Sequence, residues 1–130
     1  MKYAFRYCAV MLLLIICQTA PCHQASADDV VTTGDASAQL EFFETRIRPV
    51  LIEHCYECHS SNTSNPKGNL RLDLKETTLA GGDSGPAVVA GKPTDSVLLQ
   101  AMKFEGLEMP PKGKLPDNII KDFETWIQSG

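Results

Sequence analysis

The sequence predicts a small, mainly α-helical domain with one glycine-rich insertion. Two apolar stripes of helical period, near residues 38–51 and 117–129, carry this prediction. A shorter apolar run at residues 97–102 adds a third helix between them. A chain of 130 residues fits one domain of this kind, which we place at residues 38–130.

The first 27 residues have the pattern of a signal peptide. Lys2 and Arg6 give a positive start, residues 8–17 form an apolar run, and Ala25-Ser26-Ala27 supplies the small-residue cleavage pattern. A ten-residue helix spans about 15 Å, roughly half of a bilayer's hydrocarbon core. We therefore expect export to the periplasm or an equivalent extracytoplasmic compartment, with no stable membrane span after the signal is removed.

Removing the signal peptide changes the charge and the cysteine content. The number of Lys and Arg residues falls from 12 to 10 while all 16 acidic residues remain, so the mature net charge is about −6. Such a charge argues against nucleic acid or an anionic membrane as the partner. The mature chain keeps only Cys55 and Cys58 as cysteines and only His54 and His59 as histidines.

Residues 28–54 predict a polar, flexible leader followed by a helix. Residues 28–37 lack a helical period, and the helix is expected from about Ala38. Its apolar stripe consists of Leu40, Phe43, Ile47 and then Val50 or Leu51. Pro49 predicts a kink or a helix end near Arg48, because the residue before a proline is biased away from helix.

The middle and the end of the chain alternate between loops and short elements. Residues 69–74 alternate polar and apolar side chains, which predicts a short strand. Residues 80–93 predict a glycine-rich loop or a short β-hairpin. Thr94, Asp95 or Ser96 can cap a helix over 97–102. A final helix should start at Pro116 or Asp117 and end near Gly130, with a buried stripe of Ile119, Ile120, Phe123, Trp126 and Ile127.

The segment Cys55-Tyr-Glu-Cys58-His59 has the C-x-x-C-H spacing of a c-type haem attachment site. In such a site, two thiols add across the two vinyl groups of a haem. The histidine directly after the second thiol can then turn under the iron as its proximal ligand, a usual role for histidine. The sequence therefore predicts one covalently attached haem c.

Two other functions can use the same residues. A structural zinc module would need four Cys or His ligands, and His54 is the only further candidate in the mature chain. A thiol–disulfide redox protein would normally place its cysteine pair in a βαβ setting, which this sequence lacks. A third alternative, a haem that senses or reacts, requires an iron with an open position.

The second iron ligand is expected from Met109. Met102 falls on the apolar stripe of the third helix and is more typical of a core residue. His54 adjoins Cys55, so its ring would reach the far face of the same haem only with difficulty. Met109 precedes Pro110 and Pro111, and a stiff loop can present a thioether with little loss of entropy.

Several blocks of the sequence resemble the planctomycete-type cytochrome c domain, over roughly residues 41–130. They are Phe42-Phe43-Glu44, Ile47-Arg48-Pro49-Val50-Leu51, the haem motif with Ser60, Lys67-Gly68, Leu70-Arg71-Leu72-Asp73, Gly81-Gly82-Asp83-Ser84-Gly85-Pro86 and Met109-Pro110-Pro111-Lys112-Gly113-Lys114-Leu115. The resemblance implies Cys55 and Cys58 as haem thioethers, His59 as proximal ligand and Met109 as distal ligand. Asn69 stands where the family usually has a second glycine.

The resemblance implies an electron-transfer module rather than an enzyme, with N- and C-terminal helices around one haem. Family members usually continue into long further domains, so the chain is expected to be either a carrier or the redox part of a larger protein. The partner would be another redox protein. Lys112 and Lys114 either form a docking patch or are simply solvated. Arg71 is a candidate partner for a haem propionate.

Overall fold

A long helical segment leads directly into the C-x-x-C-H motif. In the computed structural model, which describes residues 33–130, it consists of α1 (Thr33–Phe42), a π-helical turn (Phe43–Ile47) and α2 (Arg48–His54). The helix begins before the expected Ala38, so residues 33–37 are helical rather than part of a flexible leader. The predicted signal peptide, residues 1–27, and residues 28–32 of the predicted leader lie outside the described residues.

The π turn accommodates the proline that was expected to disturb this helix. The Arg48 N–H donates to the Phe43 carbonyl, one residue further back than in an α-helix. Pro49 then falls in the first turn of α2, the part of a helix in which proline is best tolerated. The winding is therefore disturbed ahead of Pro49, but the alternative of a helix end near Arg48 is wrong.

The closing helix, α5 (Asp117–Ser129), packs against the π turn. Phe123 is fully buried, and its ring meets Trp126 edge-on, with centroids 6.1 Å apart. Trp126 also contacts Phe43 of the π turn at a centroid distance of 5.5 Å. Arg46 donates to Asp122 across the same interface at 3.0 Å. The predicted start of this helix is confirmed, and of its predicted buried stripe Ile120, Phe123 and Ile127 are buried while Ile119 and Trp126 are half-buried.

The middle of the chain contains two short α-helices and two 3₁₀ turns but no strand within residues 33–130. These elements are a 3₁₀ turn (Lys67–Asn69), α3 (Lys75–Ala80), a second 3₁₀ turn (Pro93–Asp95) and α4 (Val97–Lys103). The strand predicted over residues 69–74 is wrong, because Leu72 donates its N–H to the His59 carbonyl and not to a neighbouring strand. Of the two alternatives for residues 80–93, the loop is found, with one isolated bridge between Gly82 and Gly85.

One hydrophobic core joins these elements. Its buried members are Ile47, Leu51, Leu72, Ala87, Val88, Leu98, Leu99, Met102, Leu115, Ile120, Phe123 and Ile127. Ser96 is at the N-cap of α4 and is fully buried, but its hydroxyl donates to the Lys92 carbonyl and accepts the Val89 N–H instead of capping the helix.

Within residues 33–130, no helix has both the length and the apolar character needed to cross a membrane.

Candidate functional site

The two cysteines lie on a tight turn at the end of α2. The Cys55 N–H donates to the Leu51 carbonyl at 3.0 Å and so continues the helical winding by one residue. The Cys55 carbonyl then accepts the N–H groups of Cys58 at 3.1 Å and His59 at 2.9 Å. The motif therefore follows the first long helix on a turn, as the sequence predicted.

A cavity of about 370 Å³ opens beside this turn, and all four predicted site residues line it. Met109 thus faces the same cavity as Cys55, Cys58 and His59, although it lies 50 residues after His59 in the sequence. His54 also lines the cavity. The remaining lining is mainly apolar and includes Leu70, Leu72, Ala87, Val97, Leu98, Ala101, Leu107, Pro110 and Pro111. Its volume falls within the range of small-molecule and cofactor pockets.

The two thiols of the motif form no disulfide, and the imidazole of His59 has one nitrogen without a hydrogen-bond partner among the described residues. Burial, and to a smaller extent the nearby Cys58, raises the pKa of the Cys55 thiol to about 11. The Nδ1 atom of His59 is buried and has no hydrogen-bond partner among residues 33–130. The thiol of Cys55 is therefore neutral at physiological pH.

This chemistry gives little support to the zinc and thiol–disulfide alternatives. A reactive cysteine in a redox enzyme has a lowered pKa, whereas the pKa of Cys55 is raised. In the described part of the chain, no three Cys, His, Asp or Glu residues are grouped so that they could hold a metal ion.

Met109 is presented by a loop that is fixed at both ends by backbone hydrogen bonds. The Met109 N–H donates to the Ala101 carbonyl of α4 at 3.1 Å, and the Gly113 N–H donates to the Pro110 carbonyl at 3.1 Å. The Met109–Pro110 peptide bond is cis, and Pro110 is buried. Met102, in contrast, is 2% exposed in the core and is not part of the cavity lining, which confirms its predicted role in the core.

The glycine-rich loop forms a wall of the cavity that the sequence did not indicate. Gly82 lies so close to the Gly68 carbonyl that a Cβ atom at Gly82 would be 2.3 Å from its oxygen. The Asp83 N–H donates to that same oxygen at 2.9 Å. Residues 67–72 are also hydrogen-bonded to the motif, because the backbone N–H of Lys67 donates to the Cys58 carbonyl at 3.1 Å. Adjacent glycines are a signal of such close backbone approach, but the sequence does not identify the segment they approach.

The basic residue that lines the cavity is not the one that the sequence suggested as a partner for a haem propionate. Lys67 is among the lining residues and Arg71 is not, so Arg71 is poorly placed as a partner for a haem propionate. The Lys112 ammonium lies 3.9 Å from the carboxylate of Glu57, within the motif. Both side chains are more than 80% exposed, so this contact contributes little to stability.

Comparison with known families supports the assignment that the motif and the cavity suggest. The model of the planctomycete cytochrome c family matches residues 55–113, a range that begins at Cys55 and includes Met109. Residues 55–113 therefore carry a planctomycete-type cytochrome c domain. No curated protein and no solved structure gave a significant match.

A planctomycete-type cytochrome c domain implies a covalently bound haem and haem-based electron transfer, and such domains are generally carriers rather than enzymes. They are typically extracytoplasmic. The residues present fit this cofactor: two free thiols, an imidazole and a thioether line one mainly apolar cavity. These are the donor groups of a c-type haem with histidine and methionine ligands.

Proposed function

We propose that this domain transfers single electrons through one haem c held by Cys55 and Cys58, with His59 and Met109 as its axial ligands. The observation that carries the proposal is the shared cavity: residues 50 positions apart in sequence line one space together with both thiols. A haem with a methionine ligand requires a methionine at the same cavity as the cysteines. Neither a zinc site nor a thiol–disulfide site has such a requirement.

Each of the four residues has a distinct chemical role. The sulfur atoms of Cys55 and Cys58 each form a thioether bond with a vinyl group. The imidazole nitrogen of His59 and the thioether sulfur of Met109 would be the two protein ligands of the iron. When bound, the haem supplies the one-electron Fe(III)/Fe(II) couple. With both of these residues bound to the iron, no iron position would be left for a substrate, which favours a carrier over a sensor or an enzyme.

The surrounding residues set the conditions for electron transfer. Apolar lining side chains such as Leu98 and Leu72 exclude water, and a less polar environment around the site alters its redox potential. A methionine ligand raises the potential. A hydrogen bond from the second imidazole nitrogen would increase the basicity of His59, and no such bond is present among the described residues. We therefore infer a relatively high potential for this domain.

The proposed ligation is tested with a matched pair of methionine variants. In protein matured by a host that attaches haem, Met109→Ala should abolish the iron–sulfur charge-transfer band of the ferric protein and lower the potential. Met102→Ala removes a methionine from the core, so it should keep that band while destabilising the protein by about 2–5 kcal/mol. An unchanged ferric spectrum in Met109→Ala would refute the assignment of the sixth ligand.

Covalent attachment is tested separately from ligation. The purified protein should give the pyridine spectrum of a haem with two thioether bonds, and neither cysteine should react with an alkylating reagent. Colourless protein with two free thiols would contradict the proposal. Bound zinc or a reversible Cys55–Cys58 disulfide in such protein would instead favour the corresponding alternative.

We further propose that the chain is exported and exchanges electrons with another redox protein at a small, transient interface. The signal-peptide pattern of residues 1–27 supports export. Mass spectrometry of the purified protein should give a mature chain that begins near Asp28. Haem-containing protein that still carries Lys2 and Arg6 would show that this segment is not removed.

A further inference from the structure

The loop that leads to Met109 begins and ends at the same backbone carbonyl. The Ala101 carbonyl accepts the N–H of Phe104 and the N–H of Met109, both at 3.1 Å. The Glu105 N–H donates to the neighbouring Gln100 carbonyl at 2.9 Å. Because Ala101 also lines the cavity, these bonds fix the backbone of Met109 directly against the cavity wall.

Side-chain packing contributes little to this loop. Residues 105–108 are all exposed, and the one large apolar side chain among them, Leu107, is 46% exposed. Segments with few buried contacts belong to the less stable parts of a protein. The conformation of the backbone therefore has to hold the loop in place.

Phe104 has an unusual backbone conformation at the point where the loop leaves α4. Its φ of 65° and ψ of 36° are left-handed. Asn69 is the only other non-glycine residue with a positive φ within residues 33–130. Asparagine tolerates this region, but a bulky side chain rarely adopts it. Strained residues of this kind persist where the surrounding structure requires them, often at ligand clamps.

We propose that Phe104 is a positioning residue for the distal thioether. Its left-handed conformation ends α4 and turns the chain back, so that the Ala101 carbonyl is left to accept the Met109 N–H. The ease with which Met109 leaves the iron then depends on how well residue 104 tolerates a positive φ. This inference rests on the proposed function, because it takes Met109 as an iron ligand.

The test measures how readily imidazole displaces Met109 from the ferric haem protein. Imidazole binds only when the methionine is off the iron, so its apparent affinity reports the population of the displaced state. Phe104→Ile and Phe104→Leu are a matched pair of equal size and apolarity. Isoleucine is branched at Cβ and should disfavour the left-handed conformation much more than leucine, so Phe104→Ile should bind imidazole roughly fivefold more tightly than Phe104→Leu.

A second pair of variants tests the loop without touching Phe104. Gly106 in the loop and Gly91 outside it both have positive φ, 100° and 72°, with open space for a Cβ atom. Both alanine variants therefore carry a backbone cost without a steric clash. Gly106→Ala should bind imidazole more tightly than the unaltered protein, and Gly91→Ala should bind it as the unaltered protein does.

Equal imidazole affinities for Phe104→Ile and Phe104→Leu would overturn the inference. If Phe104→Ile does not fold, Phe104→Asn takes its place: asparagine tolerates a positive φ, so this variant should bind imidazole less tightly than Phe104→Leu, and equal affinities overturn the inference. An unaltered protein that holds haem covalently but lacks the iron–sulfur charge-transfer band would refute the role of Met109, and this inference with it. An intact band together with equal affinities within both pairs would refute the inference alone.

Discussion

At the scale of single residues, the environment of Cys55 argues against a redox-active thiol. Its thiol lies in the cavity wall, where burial raises its pKa from the ordinary 9.0 to about 11. A thiol with a raised pKa is a weak nucleophile at neutral pH. Because the folded pKa exceeds the unfolded one, the stabilising contribution of this group is present below pH 9 and is lost as the pH rises to about 11.

The raised pKa predicts the alkylation behaviour of chain that carries no haem. In the folded chain, the rate at which iodoacetamide modifies Cys55 should keep rising until the pH approaches 11. In denaturant the same rate should level off near pH 9. Mass spectrometry of the peptide that contains Cys55 measures both rates. A plateau near pH 9 in the folded chain would show that the thiol is not buried as described.

The same scale shows which residue roles could be predicted from the sequence. The motif positions and the separation of Met102 from Met109 follow from spacing and from the neighbouring prolines. The backbone of Asn69 has a φ of 53°, which explains why asparagine can stand where a glycine is usual. The absence of Arg71 from the cavity was not predictable, because its direction depends on how residues 69–74 pack.

At the scale of elements, the glycine-rich loop and the 67–72 segment act as one wall of the cavity. The loop contacts this segment through the Asp83 N–H, and the Asn69 amide donates to the Asp83 carboxylate at 2.7 Å. The segment is bonded to the Cys58 and His59 carbonyls at its two ends. A displacement of this wall would therefore also displace the backbone of Cys58 and His59.

Gly82→Ala should separate the two parts of this wall. The added Cβ atom would lie 2.3 Å from the Gly68 oxygen and 3.0 Å from the Leu70 Cβ atom, so the backbone has to move. We expect a loss of about 1–3 kcal/mol of stability and a lower yield of attached haem. Thermal unfolding and the ratio of haem to protein measure the two effects.

Gly85→Ala is the control for this prediction. Gly85 has a positive φ of 102° but open space for a Cβ atom, so it carries the backbone cost without the clash. If both variants gave the same haem yield as the unaltered protein, the close contact at Gly82 would have no role in the site.

Two apolar patterns in the sequence do not match the structure in detail. The alternation of Leu70, Leu72 and Leu74 comes from an extended segment whose inner side packs on the core and the cavity, and Leu74 is 49% exposed. Leu40 belongs to the predicted apolar stripe of the first helix, yet it is 60% exposed. An apolar pattern in the sequence indicates that one face of a segment is buried. Tertiary packing decides which elements cover that face and which of its side chains stay exposed.

At the scale of the whole molecule, the cavity replaces part of the core that a domain of this size needs. The segments that precede the motif, follow it and lead to Met109 all meet at this space. A domain of about a hundred residues has limited apolar surface to bury, and an open cavity reduces the number of packing contacts further. A haem bound there would restore many of them.

Loss of haem attachment should therefore lower the unfolding temperature strongly. A Cys55→Ala/Cys58→Ala double variant should lose several kcal/mol, and each kcal/mol moves the midpoint by roughly 4–8 °C in a domain of this size. Calorimetry of this variant, the haem protein and unaltered chain without haem gives the comparison. The two samples without haem should unfold at similar temperatures, and a double variant as stable as the haem protein would contradict the prediction.

The helical architecture and the position of the motif at the end of a helix were accessible from the sequence because they depend on strong local signals. The stripe of α5 and the C-x-x-C-H spacing are such signals. The wall built from Gly82 and Gly68 and the shared carbonyl of Ala101 depend on contacts between distant segments, which a single sequence does not specify.

The π turn at Phe43–Ile47 takes up one extra residue in the first long helix. Each residue of an α-helix advances the chain by about 100° around the helix axis, so one extra residue in regular winding would rotate Leu51 and the two thiols relative to α5. The wider turn avoids that rotation, because its hydrogen bond spans one residue more than an α-helical one. Deleting one residue within this turn should thus restore regular winding and yield a protein that still takes up porphyrin, which absorbance of the purified protein would reveal.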